Sequence, residues 1–221
     1  MMWRWDFFWS ILPAILNGFV VTVHATLLSF AVALVIGLVF ALARRSPRAA
    51  LSRPARAVTD FVRGTPLLVQ LYFLYYVLPL AGLKFPALTI GIFGLGLHYA
   101  TYIAEIYRAG IDAVPRGQWE AAAALDLRPW YLWTRVILPQ AIPPIIPALG
   151  NRLIALFKET PLLAAITVAE MLLVAREIGD EHFSYLEPYT AVGLFFLIAS
   201  LVSSAGVTWL ERKYGSVEAA I

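Results

Sequence analysis

The chain has no cysteine and few charged residues. The absence of cysteine excludes disulfides, thiolate catalysis and cysteine metal sites. Charged residues make up only 14% of the 221 residues and hydrophobic residues 61%, whereas a soluble domain typically carries about 25% charged residues. The composition therefore indicates an integral membrane protein.

Motifs for catalysis and for nucleotide binding are missing as well. The sequence contains no Gly-x-x-x-x-Gly-Lys-Ser/Thr loop, so we do not expect this chain to hydrolyse ATP. His24, His98 and His182 form no Glu-x-x-His or His-x-x-x-His metal pair, and no serine–histidine pair stands out. We expect a chain that is not an enzyme and that holds no cofactor or metal of its own.

Five apolar segments are long enough to cross a membrane, which takes about 20 mostly apolar residues. The first contains no charged residue and is too long for a signal-peptide core, so we expect it to be retained. The segments are Ala14–Ala43, Thr65–Leu83 with a polar lead-in from Val58, Phe85–Ala104 continuing as helix to about Val114, Leu138–Phe157, and Pro188–Leu210. The sequence thus predicts an all-α membrane protein that forms one domain over residues 1–221.

Two regions of this plan are irregular. Prolines crowd the start of the fourth span and predict a broken helix there, because each removes a backbone donor; they are Pro139, Pro143, Pro144 and Pro147. The stretch from Thr160 to Glu187 is apolar only at its start, from Thr160 to Ala169. It is either a re-entrant piece or a short helix near the outer face.

Basic residues in short loops predict the orientation, because they favour the cytoplasmic side. One side carries Arg44, Arg45, Arg48, Arg53 and Arg56 after the first span, Arg108, Arg116, Arg128 and Arg135 after the third, and Arg212 and Lys213 at the end. The other side carries only Arg4, Lys84 and Arg176. We therefore expect the N-terminus outside and the C-terminus in the cytoplasm.

Polar residues within the apolar body are candidates for a substrate pathway. A charge at the centre of a membrane helix costs about 2.5–3.5 kcal/mol, so it tends to be paired or to face a cavity. Glu105 and Arg108 are three residues apart and can pair on one helix face. Arg63 either snorkels to the interface or faces the pathway. The candidates for the lining of the pathway are Arg63, Thr65, Gln70, Glu105, Lys158, Glu159 and Thr160. Glu159 is the best single candidate.

The loop at about residues 115–139 contains an alanine-rich polar helix, predicted over Gln118–Leu127 and ended by Arg128-Pro129. Glu120-Ala121-Ala122 is followed by Asp126 and then by Val136-Ile137-Leu138-Pro139. This spacing resembles the cytoplasmic coupling loop of bacterial ABC importer permeases, with Asp126 at the family's glycine. Asp tolerates a left-handed conformation, so the turn is expected to survive. The resemblance assigns contact with an ATPase to Gly117, Glu120, Ala121, Ala122 and Asp126.

Other motifs narrow this resemblance. Val62–Gln70, Tyr102–Glu105 and Val114–Gln118 look like the polar amino-acid permease subfamily, and Lys158–Leu162 is similar to its Lys-Asp-Thr-Ser-Leu. Leu97–Tyr102 and Arg135–Pro144 look most like ectoine or hydroxyectoine permease subunits. The resemblance implies the import of a small zwitterion, ectoine or hydroxyectoine. The alternative is a polar amino acid of the glutamine, arginine or histidine type.

The resemblance also implies an architecture and a set of partners. The fold would be that of a type I ABC importer permease with five transmembrane helices and a cytoplasmic coupling helix, in the bacterial inner membrane. The implied partners are a dimer of ATP-binding cassette subunits that binds ATP and Mg, a second permease subunit, an external solute-binding protein and membrane lipid, but no nucleic acid. A heterodimer of permeases is expected, and a homodimer stays open.

Two classes of alternative function stay open. One is an ion-coupled secondary transporter, in which Arg63, Glu105 and Glu159 would form the relay. Inverted repeats are typical of many such transporters, and none is evident in this sequence. The other is an intramembrane enzyme, which needs a nucleophile and a base within reach.

The predicted topology can be tested with single cysteines, because the chain has none of its own. Ser46→Cys and Gln118→Cys should resist a membrane-impermeant thiol reagent in intact cells, since both lie in loops predicted to be cytoplasmic. Lys84→Cys should react. Labelling of Gln118→Cys from outside the cell would overturn this orientation.

Overall fold

The polypeptide folds into helices, and the computed structural model describes residues 3–214. No strand occurs in this range, so the predicted all-α class is confirmed. The predicted orientation of the two chain ends, residues 1–2 and 215–221, lies outside the described residues. The helices are α1 Trp5–Arg45, α2 Ala49–Gly64, α3 Leu67–Tyr72, α4 Ala87–Asp112, α5 Arg116–Ala124, α6 Pro129–Tyr131, α7 Leu138–Glu159, α8 Met171–His182 and α9 Leu186–Tyr214.

Short non-α turns extend several of these helices. π-helical turns span Phe73–Val77 and Leu132–Ile137, and 3₁₀ turns span Leu78–Ala81 and Thr160–Ile166. By length and composition α1, α4 and α9 can each cross a membrane. The fourth predicted span, α7, is a helix of 22 residues but is not among these three, since Gln140, Asn151 and Arg152 interrupt its apolar residues.

The second predicted span is bent. Its lead-in from Val58 belongs to α2, and the apolar part that follows, Leu67–Ala81, departs from α2 at 102°. Pro66 causes the break, because it has no backbone N–H and holds Thr65 in an extended conformation, with φ −107° and ψ 140°. The span therefore begins at Leu67 rather than at Thr65.

Two polar side chains satisfy the backbone groups that this bend exposes. Thr65 Oγ1 donates to the Phe61 carbonyl at 3.1 Å. Gln70 Nε2 donates to the Val62 carbonyl at 2.6 Å and to the Thr65 carbonyl at 2.9 Å. The bend is thus held by hydrogen bonds within its own segment.

The structure also corrects the expectation of a broken helix at the prolines of α7. Pro143, Pro144 and Pro147 all lie inside a continuous α-helix. Pro139 is tolerated because the first backbone N–H groups of a helix have no intrahelical partner. The irregularity lies earlier, in the π-helical turn Leu132–Ile137.

Between α7 and α9 the chain forms the 3₁₀ turn Thr160–Ile166 and then the short helix α8; its place relative to the membrane stays a prediction. The side chain of Glu170 caps α8, with Oε1 accepting a hydrogen bond from the Leu173 backbone N–H at 2.8 Å. The Met171 N–H donates to Thr22 Oγ1 of α1 at 3.2 Å. These contacts fix the start of α8 against the middle of α1.

Small residues allow α1 and α4 to approach closely at the centre of the molecule. A Cβ atom at Gly37 would lie 3.0 Å from the Ala100 carbonyl, and one at Gly96 would lie 3.1 Å from the Ser29 carbonyl. Small residues at such crossings let the backbones of membrane helices approach closely, which increases their contact area. One buried cluster joins α3 and α4 around Leu71 and Leu95, and another joins α1, α8 and α9.

The junction of α1 and α8 should not accept a larger side chain. A Cβ at Gly18 would lie 2.8 Å from the Met171 Cα, which is backbone and cannot turn aside. Gly18→Val should therefore destabilise the protein by about 1–3 kcal/mol and lower its melting temperature in detergent. Gly206→Val is the control, because a Cβ there meets nothing within 4 Å among the described residues. Equal melting temperatures for the two variants would contradict this packing.

Candidate functional site

Helix α5 is the predicted coupling helix, with different ends from those expected. It spans Arg116–Ala124 instead of Gln118–Leu127. Asp126 ends it by adopting a left-handed conformation, with φ 47°, and the Leu127 N–H donates to the Ala122 carbonyl at 3.0 Å. Pro129 does not terminate this helix but begins α6, a position where its missing N–H costs nothing.

The two faces of α5 differ in what they contact. Ala122 is 3% exposed, and Trp119 meets Trp133 edge to face at 5.5 Å between ring centroids. Gly117, Glu120 and Ala121 are exposed. Of the predicted ATPase contacts, Ala122 therefore faces the chain's own interior and anchors α5, whereas these three lie on its open face.

Gly117 lies on this open face in open space. A Cβ atom there would meet nothing within 4 Å in the described part of the chain. Its backbone is ordinary helix, since positive φ among the described glycines occurs at Gly82. Nothing in the described part of the chain therefore requires glycine at this position.

Glu105 of α4 is the centre of an ion-pair cluster. Its Oε1 lies 2.7 Å from Arg44 Nη1 of α1 and 3.5 Å from Arg63 Nη2 of α2, and its Oε2 lies 2.8 Å from Arg108 Nε. The predicted pairing of Glu105 with Arg108 is thus confirmed. Arg63 Nη2 also donates to the Thr101 carbonyl at 3.0 Å. One half-buried carboxylate therefore joins three helices.

The cluster continues towards α5. Asp112, the last residue of α4, lies 2.9 Å from Arg108 Nη1 and is also paired with Arg45. Helix α5 begins only four residues later, at Arg116. Any displacement of α5 therefore acts next to the contacts that hold α1 and α2 against α4.

A line of polar side chains, which we call the polar column, runs along α4 away from this cluster. It consists of His98, Tyr102 and Glu105 on α4, Arg63 on α2, and Arg152 and Glu159 on α7. The guanidinium carbons of Arg63 and Arg152 lie 5.4 Å and 4.8 Å from the centre of the Tyr102 ring. His98 and Tyr102 are in contact, with ring centroids 5.5 Å apart.

Three polar atoms of this column are buried without a hydrogen-bond partner in the described chain: His98 Nδ1, Arg63 Nε and Glu159 Oε2. The Glu159 carboxylate lies beside His98 and Tyr99 of α4 and is hydrogen-bonded to the Tyr99 hydroxyl, so only its Oε2 is without a partner. Buried polar atoms are rarely left unpaired, because the loss of hydration is not compensated. The unpaired atoms of the column are thus one carboxylate oxygen, one imidazole nitrogen and one guanidinium nitrogen.

The predicted pathway residues fall into separate places. Arg63, Glu105 and Glu159 belong to the polar column. Thr65 Oγ1 accepts a hydrogen bond from Gln70 Nε2 at 2.7 Å at the bend. Thr160 is buried and donates to the Phe157 carbonyl at 2.7 Å. A pathway role for all of these residues stays a prediction.

Lys158 and Glu159 are adjacent in sequence but do not form an ion pair. Neighbouring helical residues point about 100° apart, and no ion pair within 4.0 Å joins these two in the described range. Lys158 is exposed and lines a groove beside α9 with Phe196 and Ser200. Only Glu159 is directed towards α4.

Sequence reasoning missed three members of the polar column: His98, Tyr102 and Arg152. Their spacing was a usable signal. Arg152 and Glu159 are seven residues apart, and Tyr102 lies four residues after His98, so each pair falls on one helix face. Across residues 3–214 no group of three or more His, Asp or Glu side chains is placed to hold a metal ion.

Comparison with known proteins agrees with this arrangement. Residues 33–216 match the family described as the inner membrane component of binding-protein-dependent transport systems. A probable amino-acid ABC transporter permease protein of Sinorhizobium fredii is 50% identical over 89% of this chain and 85% of its own length. The glutamine transport system permease protein of Escherichia coli is 35% identical over 96% of this chain and 98% of its own length.

Solved structures support the same fold. One similar chain comes from a crystal structure of an amino acid ABC transporter with histidines. It has a TM-score of 0.91 and 34% sequence identity, and the match covers 96% of this chain and 100% of that chain. A chain of the methionine ABC transporter in an inward-facing conformation has a TM-score of 0.70 at 19% identity, over 96% and 99% of the two chains, and supports the fold alone. The type I ABC importer permease fold is thus confirmed, and the chain belongs to the family of inner membrane components of binding-protein-dependent transport systems.

Proposed function

We propose that this chain is a permease subunit of an ABC importer that carries a polar amino acid across the bacterial inner membrane. The observation that carries this proposal is the polar column, with its unpaired buried carboxylate oxygen on Glu159 and the cations of Arg63 and Arg152 over the Tyr102 ring. The relatives named above are described as amino-acid and glutamine permeases. These descriptions support the amino-acid alternative over ectoine.

The chemistry of the column suits a zwitterion. An amino acid that leaves water loses the hydration of both its ammonium and its carboxylate, which is costly unless other polar groups replace it. The free oxygen of Glu159 can accept a hydrogen bond from an ammonium group. Arg152 can bind a carboxylate with its planar guanidinium. The two lie on one face of α7, seven residues apart.

The proposal includes the partners that the permease family implies. A pair of ATPase subunits that binds ATP and Mg docks on the exposed face of α5, formed by Gly117, Glu120 and Ala121. An external binding protein delivers the substrate, and a second permease subunit, in our proposal a different homologue, completes the pathway. The ATPases supply the free-energy difference between the states of the spans, and the C-terminus lies in the cytoplasm.

The role of Glu159 is tested by Glu159→Gln, which keeps the shape of the side chain and removes its charge. We expect the variant to assemble and to bind its binding protein as before. Its uptake of amino acid in proteoliposomes should fall by about tenfold or more, the consequence of losing one charge-assisted hydrogen bond of about 1.5–3 kcal/mol.

Glu177→Gln is the matched control, because Glu177 is an exposed carboxylate on α8. Wild-type uptake by Glu159→Gln at all substrate concentrations would assign Glu159 to the structure rather than to the pathway.

The same assay distinguishes the substrates when each radiolabelled candidate is offered with its binding protein: glutamine, arginine, histidine and ectoine. Uptake that continues without the ATPase subunits would favour an ion-coupled transporter.

The docking face is tested by Ala121→Trp. Alanine at an exposed helix position permits close approach of a partner, and the indole would hold the two surfaces apart. We expect the permease to insert and fold normally but to lose its ATPase subunits on purification, or to lose substrate-stimulated ATP hydrolysis. Ala50→Trp makes the same change on the exposed side of α2 and should leave both intact. Normal stimulated hydrolysis by Ala121→Trp would contradict this docking face.

A further inference from the structure

Helix α2 presents three different faces. Thr59 and Val62 are buried against the rest of the chain. Leu51, Val58 and Phe61 form an apolar stripe and are 50%, 45% and 71% exposed. A third face is polar and forms a groove lined by Ser52, Arg53, Arg56, Ala57 and Asp60. A helix with an exposed apolar stripe beside a basic polar face is typical of helices that lie in the membrane surface.

The course of the chain agrees with this placement. The segment Leu67–Ala81 departs from α2 at 102°, so if this segment crosses the bilayer, α2 runs nearly parallel to the surface. The preceding loop and α2 carry the basic residues that predict the cytoplasmic side. The apolar stripe would then face the acyl region and the polar groove the headgroups.

We propose that α2 binds an anionic phospholipid of the cytoplasmic leaflet, with its phosphate at Arg53 and Arg56 and an acyl chain along Phe61. This proposal goes beyond the transport function, because it involves neither the polar column nor the docking face of α5. The partner is identified by charge and by amphiphilic shape.

The charge argument rests on which arginines are occupied. Arg44 and Arg45 are paired with Glu105 and Asp112. Arg53 and Arg56 form no ion pair within 4.0 Å in the described part of the chain, although Asp60 lies four residues after Arg56. Their guanidinium groups are therefore available, and the planar fork of Arg matches a phosphate group. The carboxylate of Asp60 can accept a hydrogen bond from a headgroup hydroxyl.

The shape argument rests on a second groove, which begins at the same helix. It has a volume of about 290 Å³ and is lined mainly by apolar side chains, among them Phe61, Val69, Phe73 and Leu97. Thr65 and Gln70 also line it, but the Gln70 amide nitrogen is already hydrogen-bonded to Thr65 and Val62. Hydrocarbon suits such a groove better than a hydrated solute does. Both grooves border α2, and a lipid molecule has the phosphate and the acyl chain that the two grooves would hold.

The experiment uses the assembled complex with its ATPase subunits, in vesicles of phosphatidylcholine and phosphatidylglycerol in equal parts. Val58→Cys, in the apolar stripe, is labelled with bimane before assembly, which is selective because the chain has no other cysteine. In one set of vesicles only phosphatidylglycerol carries bromine on its acyl chains, and in the other only phosphatidylcholine does. Bromine quenches bimane on contact, so the ratio of the two quenching values reports which lipid adjoins α2.

We expect brominated phosphatidylglycerol to quench the Val58 label several-fold more than brominated phosphatidylcholine does. A basic residue near an anionic surface contributes about fivefold to binding, so Arg53→Gln combined with Arg56→Gln should bring the ratio close to one. Arg212→Gln combined with Lys213→Gln removes the same charge at the end of α9 and should leave the ratio unchanged. A label at Val202→Cys on α9, where Val202 is 68% exposed, should show equal quenching by both lipids.

Two results would overturn the proposal. The first is equal quenching by the two lipids at Val58, or an excess that survives the double arginine variant. The second is a label that neither lipid quenches, since a protein then covers α2; recovery of quenching when the ATPase subunits are omitted would identify that protein. Neither result depends on transport, so the proposed function is tested separately.

Discussion

The carboxylate of Glu105 is the contact on which the cytoplasmic half of the predicted topology depends. It forms ion pairs with Arg44 of α1, Arg63 of α2 and Arg108 of its own helix, α4. Without it, three cations would face one another in a half-buried space, and an unpaired buried charge is far more costly than a paired one. This explains how a helix as polar as α2 stays docked beside α1 and α4: its Arg63 is neutralised, while Arg53 and Arg56 remain turned outwards. The same carboxylate is the last of the α4 residues in the polar column. It therefore belongs both to the contacts that hold the helices together and to the proposed route of the substrate.

Much of this fold was readable from the sequence. Apolar length predicted helices at all five expected spans, and Pro66 accounts for the kink that separates α2 from α3. The angle of that kink was not readable. Proline excludes the helical conformation for the residue before it, but the new direction is set by Thr65 and Gln70, whose hydrogen bonds involve carbonyls up to eight residues away.

The prolines of α7 were misinterpreted for a related reason, since a helix packed on several sides can retain interior prolines that an isolated one would not.

The site was only partly predictable. Charges within spans identified Arg63, Glu105 and Glu159, because such charges need a partner or a cavity. The cation–aromatic contacts of Tyr102 with Arg63 and Arg152 join three helices that are distant in sequence, and no local pattern gives their register. Ala122 shows the same limit on a smaller scale. Composition marks α5 as an alanine-rich polar helix, but only the packing of the loop shows that Ala122 lies on the inner face and Ala121 on the outer one.

The anchoring of α5 gives a physical route from ATP hydrolysis to the substrate. Trp119 packs against a cluster that includes Ile111 and Val114 at the end of α4, and also Ile137 just before α7. A force on α5 therefore reaches both helices that carry the polar column, from opposite sides. If α4 and α7 shift unequally, the distance from the α4 residues of the column to Glu159 changes, and with it the affinity for a zwitterion held between them. Close-packed interfaces of this kind switch between discrete arrangements rather than deform continuously.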